Sequence, residues 1–217
     1  MGDLLWHLLR TSDSFFPTGG FSHSGGLEGL AAEGCLADPA AAVRAVFEEA
    51  FVPVDLPACG LAHRAVGDVD ALARIDATLD ALKAPRELRE SSRSLGRRRM
   101  KVSAVPAAYR ARVEAGASPG HQAVVTGAHL ALAGASRAEA MTAFAYQSAA
   151  GLVAAAMKLG PLGQTRAQEI LETIGESMAA RVAAADLVTV DGLGAFTPLL
   201  DIAALRHETA STRLFIS

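Results

Sequence analysis

Apolar residues recur three and four apart from residue 43 to residue 203, interrupted at short intervals by capping residues, glycine and proline. That spacing places one apolar stripe on each of a succession of helices, and it leaves little that could alternate in and out as a strand. Asp38-Pro39 reads as a cap with proline at the first helical position, followed by Val43, Val46, Phe47, Ala50 and Val54. A second helix start falls near Asp70, with Leu72, Ile75, Leu79 and Leu82 on one face, stopped before Pro85. Ser118-Pro119 opens a third, running through Val124, Val125, Ala128 and Leu132 to Gly134. Ser136 and Glu139 form a capping box, each side chain satisfying a free backbone donor. The helix it opens turns Met141, Phe144, Ala145, Ser148, Leu152 and Ala155 inward and ends at Gly160-Pro161. Thr165 and Gln168 suggest a second box, with Ile170, Ile174, Met178 and Val182 four apart. LVTV at 187–190 is the one short strand candidate. The expected fold is all-α, one helical bundle over 1–217 with short Gly/Pro turns between neighbouring helices. Aromatics are only 5% of residues against 51% apolar, so alanine and the aliphatics must build the core.

The same composition removes several function classes. A formal charge of −3 points to neither nucleic acid nor an anionic membrane surface as partner. Cys35 and Cys59 form no CxxC pair and read as small hydrophobes in a reducing compartment. MGDLLWHLLR lacks the basic start and long apolar core of a secretion signal, and Trp6 stands where myristoylation wants Ser or Thr. No apolar run looks long enough to span a bilayer, so a cytoplasmic location is expected.

The stretch FFPTGGFSHSGGLEGL, Phe15 to Leu30, is the densest local pattern. Gly20 and Gly25 have Walker spacing, but Gly26 and Leu27 follow where a phosphate-neutralising Lys and a magnesium-binding hydroxyl belong. The dinucleotide fingerprint is unmatched, and no strand precedes the glycines. Ser22, Ser24, His23 and Glu28 supply groups for a small helical hydrolase, in which Ser22 or Ser24 would work with a histidine. The sharp nucleophile elbow is missing, and neighbours in sequence rarely point at one another. A structural turn anchored by Phe15, Phe16 and Phe21 is the favoured reading. The histidines at 7, 23, 63, 121, 129 and 207 show no HxH, HxxxH or HExxH spacing. No metal site is expected from them; one could arise only by imidazoles converging from different helices or across an interface, which the spacing does not support.

Residues 86–112 carry nine Lys and Arg against Glu87 and Glu90, a local charge of +7, while the rest of the chain sums to −10. As one helix over 86–102, Leu88, Ser92, Leu95 and Val102 share a face, with Arg86, Arg93, Arg97 and Lys101 opposite. The basic face is either solvated or a contact for an acidic partner surface. At the other end, Thr197-Pro198 caps a short helix through Leu199, Ile202, Ala203 and Arg206, and RHETASTRLFIS closes the chain with Leu214, Phe215 and Ile216. Chain ends are usually polar, so this one tucks into its own core or docks on another protein; docking is the expectation.

Four of these segments in this order resemble the UreF family of urease accessory proteins. They are Pro17 to Glu28, ELRESSRSLGRR (Glu87 to Arg98), KLGPLGQTRAQEIL (Lys158 to Leu171) and the ending Arg206 to Ser217. The chain resembles a divergent member. Phe16 stands where the family commonly has Leu, His23 and Gly25 where Tyr and Gln are common, Lys158 in place of Arg, and His121-Gln122 in place of a Tyr-Pro-like pair. The resemblance implies an all-α homodimer with no enzymatic activity and no tightly bound cofactor. It implies work in a complex with UreD (also called UreH) and the GTPase UreG, which delivers nickel to apo-urease and assists carboxylation of the active-site lysine. By match to the tail motif, Arg206, His207, Glu208, Arg213, Leu214 and Phe215 are the implied UreD-side contacts. Phe21, Ser22 and Glu28 belong to the glycine-rich signature near the working surface. The dimer would present a platform for UreG, whose GTP hydrolysis it would influence only as part of the assembly.

Overall fold

The computed structural model describes residues 2–216, and among them every regular element is a helix. In chain order these are α1 (Gly2–Ser12), α2 (Leu27–Ala32), α3 (Pro39–Ala45), a π-helical run (Val46–Asp55), α4 (Leu56–Arg64), α5 (Val69–Leu82) and α6 (Arg86–Val102). There follow α7 (Ala107–Glu114), α8 (Gln122–Leu132), α9 (Arg137–Leu159), α10 (Gln164–Glu176), α11 (Met178–Ala185) and α12 (Pro198–His207), with single 3-10 turns at Gly20–Ser22 and Val190–Gly192. The all-α expectation holds, and the candidate strand at 187–190 is a turn running into the second 3-10 element.

Asp38 caps α3 by accepting from the amides of Ala40 and Ala41 at 3.0 and 3.1 Å. Helix then runs unbroken through the π-helical segment into α4. Pro53 lies inside that segment and Pro57 in the first turn of α4. Neither proline can donate the usual i→i−4 bond, and the wider register sits where those donors are missing. Helix α4 is the centre of the molecule: Leu56, Pro57, Ala58, Cys59 and Gly60 are all buried in sequence. It packs most extensively on α8, and the approach depends on Gly127, where a Cβ would stand 2.2 Å from the Cys59 carbonyl oxygen. Helix α9 packs on α4, with Met141 against Gly60, sets Phe144 against Phe51 of the π-helical run and buries Ala145 and Ala149; it is opened by the Ser136–Glu139 capping box that the sequence predicts. Its most apolar window has a mean hydropathy of 1.2 over a 23-residue helix, long and apolar enough to cross a membrane, contrary to the sequence expectation. Half of that window is buried against the rest of the protein, as a core helix requires.

Three helix starts differ from the sequence reading. The α5 cap is Asp68, accepting from Asp70 and Ala71 at 3.0 Å each, so Asp70 lies inside the helix. Helix α10 begins at Gln164 with Gly163 before it, which puts Thr165 past the cap position and leaves its box unformed. Helix α8 begins at Gln122, four residues after Ser118. The cause is a carboxylate from elsewhere: Asp76 of α5, fully buried, accepts from the amides of Gly120 and His121 at 2.7 and 2.8 Å and from the Tyr109 hydroxyl at 2.9 Å. Gly120 takes φ +80°, and Gly96 of α6 lies against it, where a Cβ would meet the Gly120 carbonyl oxygen at 2.1 Å. Beside this knot His121 is sealed from solvent; its Nε2–H donates to Asp80 at 3.0 Å and its Nδ1 accepts from the Ser92 hydroxyl at 3.0 Å.

The faces of α6 also differ from expectation. Val102 is exposed, whereas Arg99 is fully buried, its guanidinium donating to Thr11 O at 3.0 Å and Gln147 Oε1 at 2.7 Å and lying 4.9 Å over the Phe16 ring. Burial pulls the Arg99 pKa down to about 10, which leaves it charged at neutral pH. Much of the remaining positive charge is engaged within the chain: Arg93 with Asp80 and Glu90, Arg86 with Glu208, Arg112 with Asp70, and Arg97 with the Pro119 carbonyl. The basic stretch is thus partly tied to acids and carbonyls of the same chain, while Arg86, Arg97 and Lys101 stay at the surface.

Asp76→Ala orphans three buried donors at about 1–3 kcal/mol each, so urea unfolding should show a loss of about 3 kcal/mol or more. Ser118→Ala removes a buried hydroxyl that has no partner and should cost under about 1 kcal/mol. A further expectation concerns pH. Burial holds the His121 pKa below its ordinary value of 6.5, with Asp76, Asp80 and Asp55 opposing that and Lys83 adding to it. The native state therefore stays neutral there while the unfolded chain takes up a proton, so this contribution is full above pH 6.5 and is lost as pH falls below it. His121→Gln should flatten the stability–pH curve below pH 6.5, as read by denaturation at stepped pH.

Candidate functional site

The glycine-rich stretch folds as a hinge of tight turns. Gly19, at φ +75°, precedes the 3-10 turn, and Gly25 and Gly26, at +63° and +92°, swing the chain into α2. A Cβ on Gly26 would meet Leu200 at 2.5 Å, and one on Gly29 would meet the Ala203 carbonyl oxygen at 2.7 Å, so these glycines let α2 lie on α12. Of the three phenylalanines, only Phe16 anchors the turn. Phe15 is 93% exposed and Phe21 71% exposed. The two serines are committed to backbone: Ser22 Oγ donates to Gly19 O at 2.7 Å, and Ser24 Oγ accepts from the Glu28 amide at 3.2 Å, capping α2. Those bonds give both hydroxyls structural work in place of the hydrolase role.

Glu28 faces the C-terminal tail from the first turn of α2. Its two oxygens accept from the amides of Leu214 at 2.6 Å and Phe215 at 2.9 Å, and the Ile216 amide donates to Ser22 O at 2.9 Å. Glu28 Oε2 also lies 3.1 Å from Nε2 of His207, at the end of α12. On its other side His207 Nδ1–H donates to Glu87 of α6 at 2.9 Å, so one buried imidazole sits between two buried carboxylates. Arg213 adds a positive group, 3.5 Å from Glu87. Glu208 accepts from the Glu87 amide at 3.2 Å and so caps α6, whose preceding Pro85 offers no side-chain acceptor. Lys158, at the end of α9, donates to Phe21 O at 3.1 Å and stands 5.2 Å over the Phe215 ring.

Eight of the nine sequence-selected residues thus meet in one cluster, with Arg206 at its edge, paired to Glu33 at 2.6 Å. Sequence reasoning missed Glu87 and Lys158 as individual members. A signal for Glu87 was present: it is one of two acids in a strongly basic segment. The tail expectation is half corrected. Phe215 tucks into the chain's own core at 5% exposure, while Leu214 and Ile216 remain outside. The outer face of α12 is apolar as well, with Leu199, Ile202 and Leu205 about half exposed at three-residue spacing and Phe196 just before them. Beneath the cluster lies a cavity of about 250 Å³ lined by residues such as Ser91, Gln122, Gln147, Leu152 and Leu200. Among the described residues no group of three or more His, Cys, Asp or Glu is placed to hold a metal ion.

An all-α chain with its signature residues spent on clamping a tail, beside an uncovered apolar helix face, is built as an interaction protein. A sequence model of the UreF family matches residues 37–175. The chain is 34% identical to the urease accessory protein UreF of Arthrobacter sp. (strain FB24), the match covering 97% of this chain and 96% of the relative. It is 32% identical to that of Paenarthrobacter aurescens (strain TC1), with 97% and 96% covered, and 30% to that of Lachnoclostridium phytofermentans along the full length of both. The chain belongs to the UreF family; it is a urease accessory protein and not an enzyme. The four segments that carried the resemblance are the ones that converge here, on the turn at 17–28, the face of α6, the end of α9 and the tail.

If Glu28 is what holds the tail, Glu28→Gln should free it, because a carboxamide offers one accepting oxygen where two amides need one each. Hydrogen exchange at the Leu214 and Phe215 amides should quicken about tenfold, equivalent to about 1.4 kcal/mol, with the amides of α4 and α8 unchanged.

Proposed function

We propose that this protein serves urease maturation as a non-catalytic member of a complex with UreD and the GTPase UreG, in the cytoplasm. The complex delivers nickel to apo-urease and assists carboxylation of its active-site lysine, and nickel is handled by the assembly rather than held tightly by this chain. The protein acts as a homodimer that offers UreG a platform and modulates its GTP hydrolysis within the assembly. UreD takes the α12 side. The observation that supports this most is the row of Leu199, Ile202 and Leu205 on the outer face of α12, next to a tail that leaves Leu214 and Ile216 exposed. Apolar side chains in a row on one face are the surface a partner would desolvate, and Arg206 and Arg213 at the margin supply polar rim contacts.

The double substitution Leu199→Asp/Ile202→Asp changes only side chains already half in solvent, so helix content and melting should be preserved. Association with UreD, read by co-purification and gel filtration, should weaken at least tenfold. Truncation after Glu208 should weaken it too. Wild-type binding by the double variant would overturn the assignment of α12 as the UreD face.

A further inference from the structure

Just beyond the C-terminal end of α6, whose N-terminal end meets the tail, two histidines from different helices meet. His7 of α1 and His129 of α8 present their Nε2 atoms to each other at 3.1 Å, with ring centroids 5.1 Å apart and planes inclined at 48°. His129 is 4% exposed, and its Nδ1 lies 3.1 Å from the Ala104 carbonyl oxygen, which can only accept. His129 therefore carries its proton on Nδ1, and the lone pair of Nε2 is turned toward His7. A ligating imidazole shows the same pattern: the far nitrogen is held by a carbonyl and the near one is left free for the metal. His7 is half-buried and follows the exposed Trp6, so the pair has an approach from solvent.

We propose that His7 and His129 form a two-imidazole site for a borderline divalent transition ion of the zinc or nickel type. Two nitrogens each about 2.0–2.1 Å from one ion, at angles near 95–110°, stand about 3.0–3.4 Å apart. The observed separation falls in that range, so the ion enters without helix movement and the Nε2 proton of His7 passes to its Nδ1. Neutral imidazoles favour this class of ion over magnesium or calcium, which take oxygen ligands. The guanidinium groups of Arg10 and Arg99 act on both rings. The same two guanidinium groups oppose a dication. The site is therefore weak and exchangeable, and its open positions favour an anionic ligand from solvent or a partner. The proposal stands on this chain alone and does not depend on the assignment of α12.

Calorimetric titration of the full chain with zinc or nickel ions, in a non-coordinating buffer at pH 7.5, should show one saturable equivalent, with magnesium giving none. His7→Ala, on the half-buried side of the pair, should weaken binding at least tenfold while still giving one cooperative melting transition without metal, lowered by the lost hydrogen bond to His129. His129→Gln should do the same if it folds, and His63→Ala should bind as wild type. Absence of a saturable equivalent in the wild type, or wild-type affinity in His7→Ala, would overturn the site.

Discussion

The contact on which the architecture rests is the approach of α8 to α4 at Gly127, where any Cβ would collide with the backbone of Cys59. With a larger residue the two helices would stand apart, and the alanines and valines between them, all without measurable exposure, would lose their neighbours. A core short of aromatics can reach full packing density only by bringing backbones close. Gly96 against Gly120 repeats the device where α6 meets the turn before α8.

Around that centre the polar interior is organised by carboxylates that serve amides from distant parts of the chain. Asp76 gathers the turn ahead of α8, and Glu28 gathers the tail. Each replaces a local cap or a strand partner with a long-range one, tying secondary structure to tertiary contact. Between Glu28 and Glu87, His207 links α2, α6 and α12 in one buried group. The tail is thus a structural member of the protein as well as a surface, and a partner that binds α12 meets a face whose inner side is tied to α2 and α6 by polar contacts.

Much of this was legible in the residues, though unevenly. Local signals placed α3 and α9 because Asp38 and Ser136 cap with side chains inside the same turn. They misplaced the start of α8 because the turn ahead of it is held by Asp76, more than 40 residues earlier in the chain. Charge counting found the basic stretch at 86–112 and missed its fate, since nothing local distinguishes the buried Arg99 from the exposed Arg97. At the candidate site, the motif residues are brought together by the fold. Their mutual contacts were invisible, because Glu28 and His207 lie far apart in sequence and only folding sets them 3.1 Å apart.

By itself, then, the sequence determined an all-α fold, the absence of a Walker or elbow pattern and membership in the UreF family, because helical periodicity and ordered motifs are written in neighbouring residues. The tertiary structure alone decided which of three phenylalanines anchors the turn, which arginine is buried, and that Phe215 folds inward while Leu214 and Ile216 face out. Those outcomes depend on which side of a helix a distant element covers. Burial and pairing across the chain are properties of packing, and no local window of residues contains them.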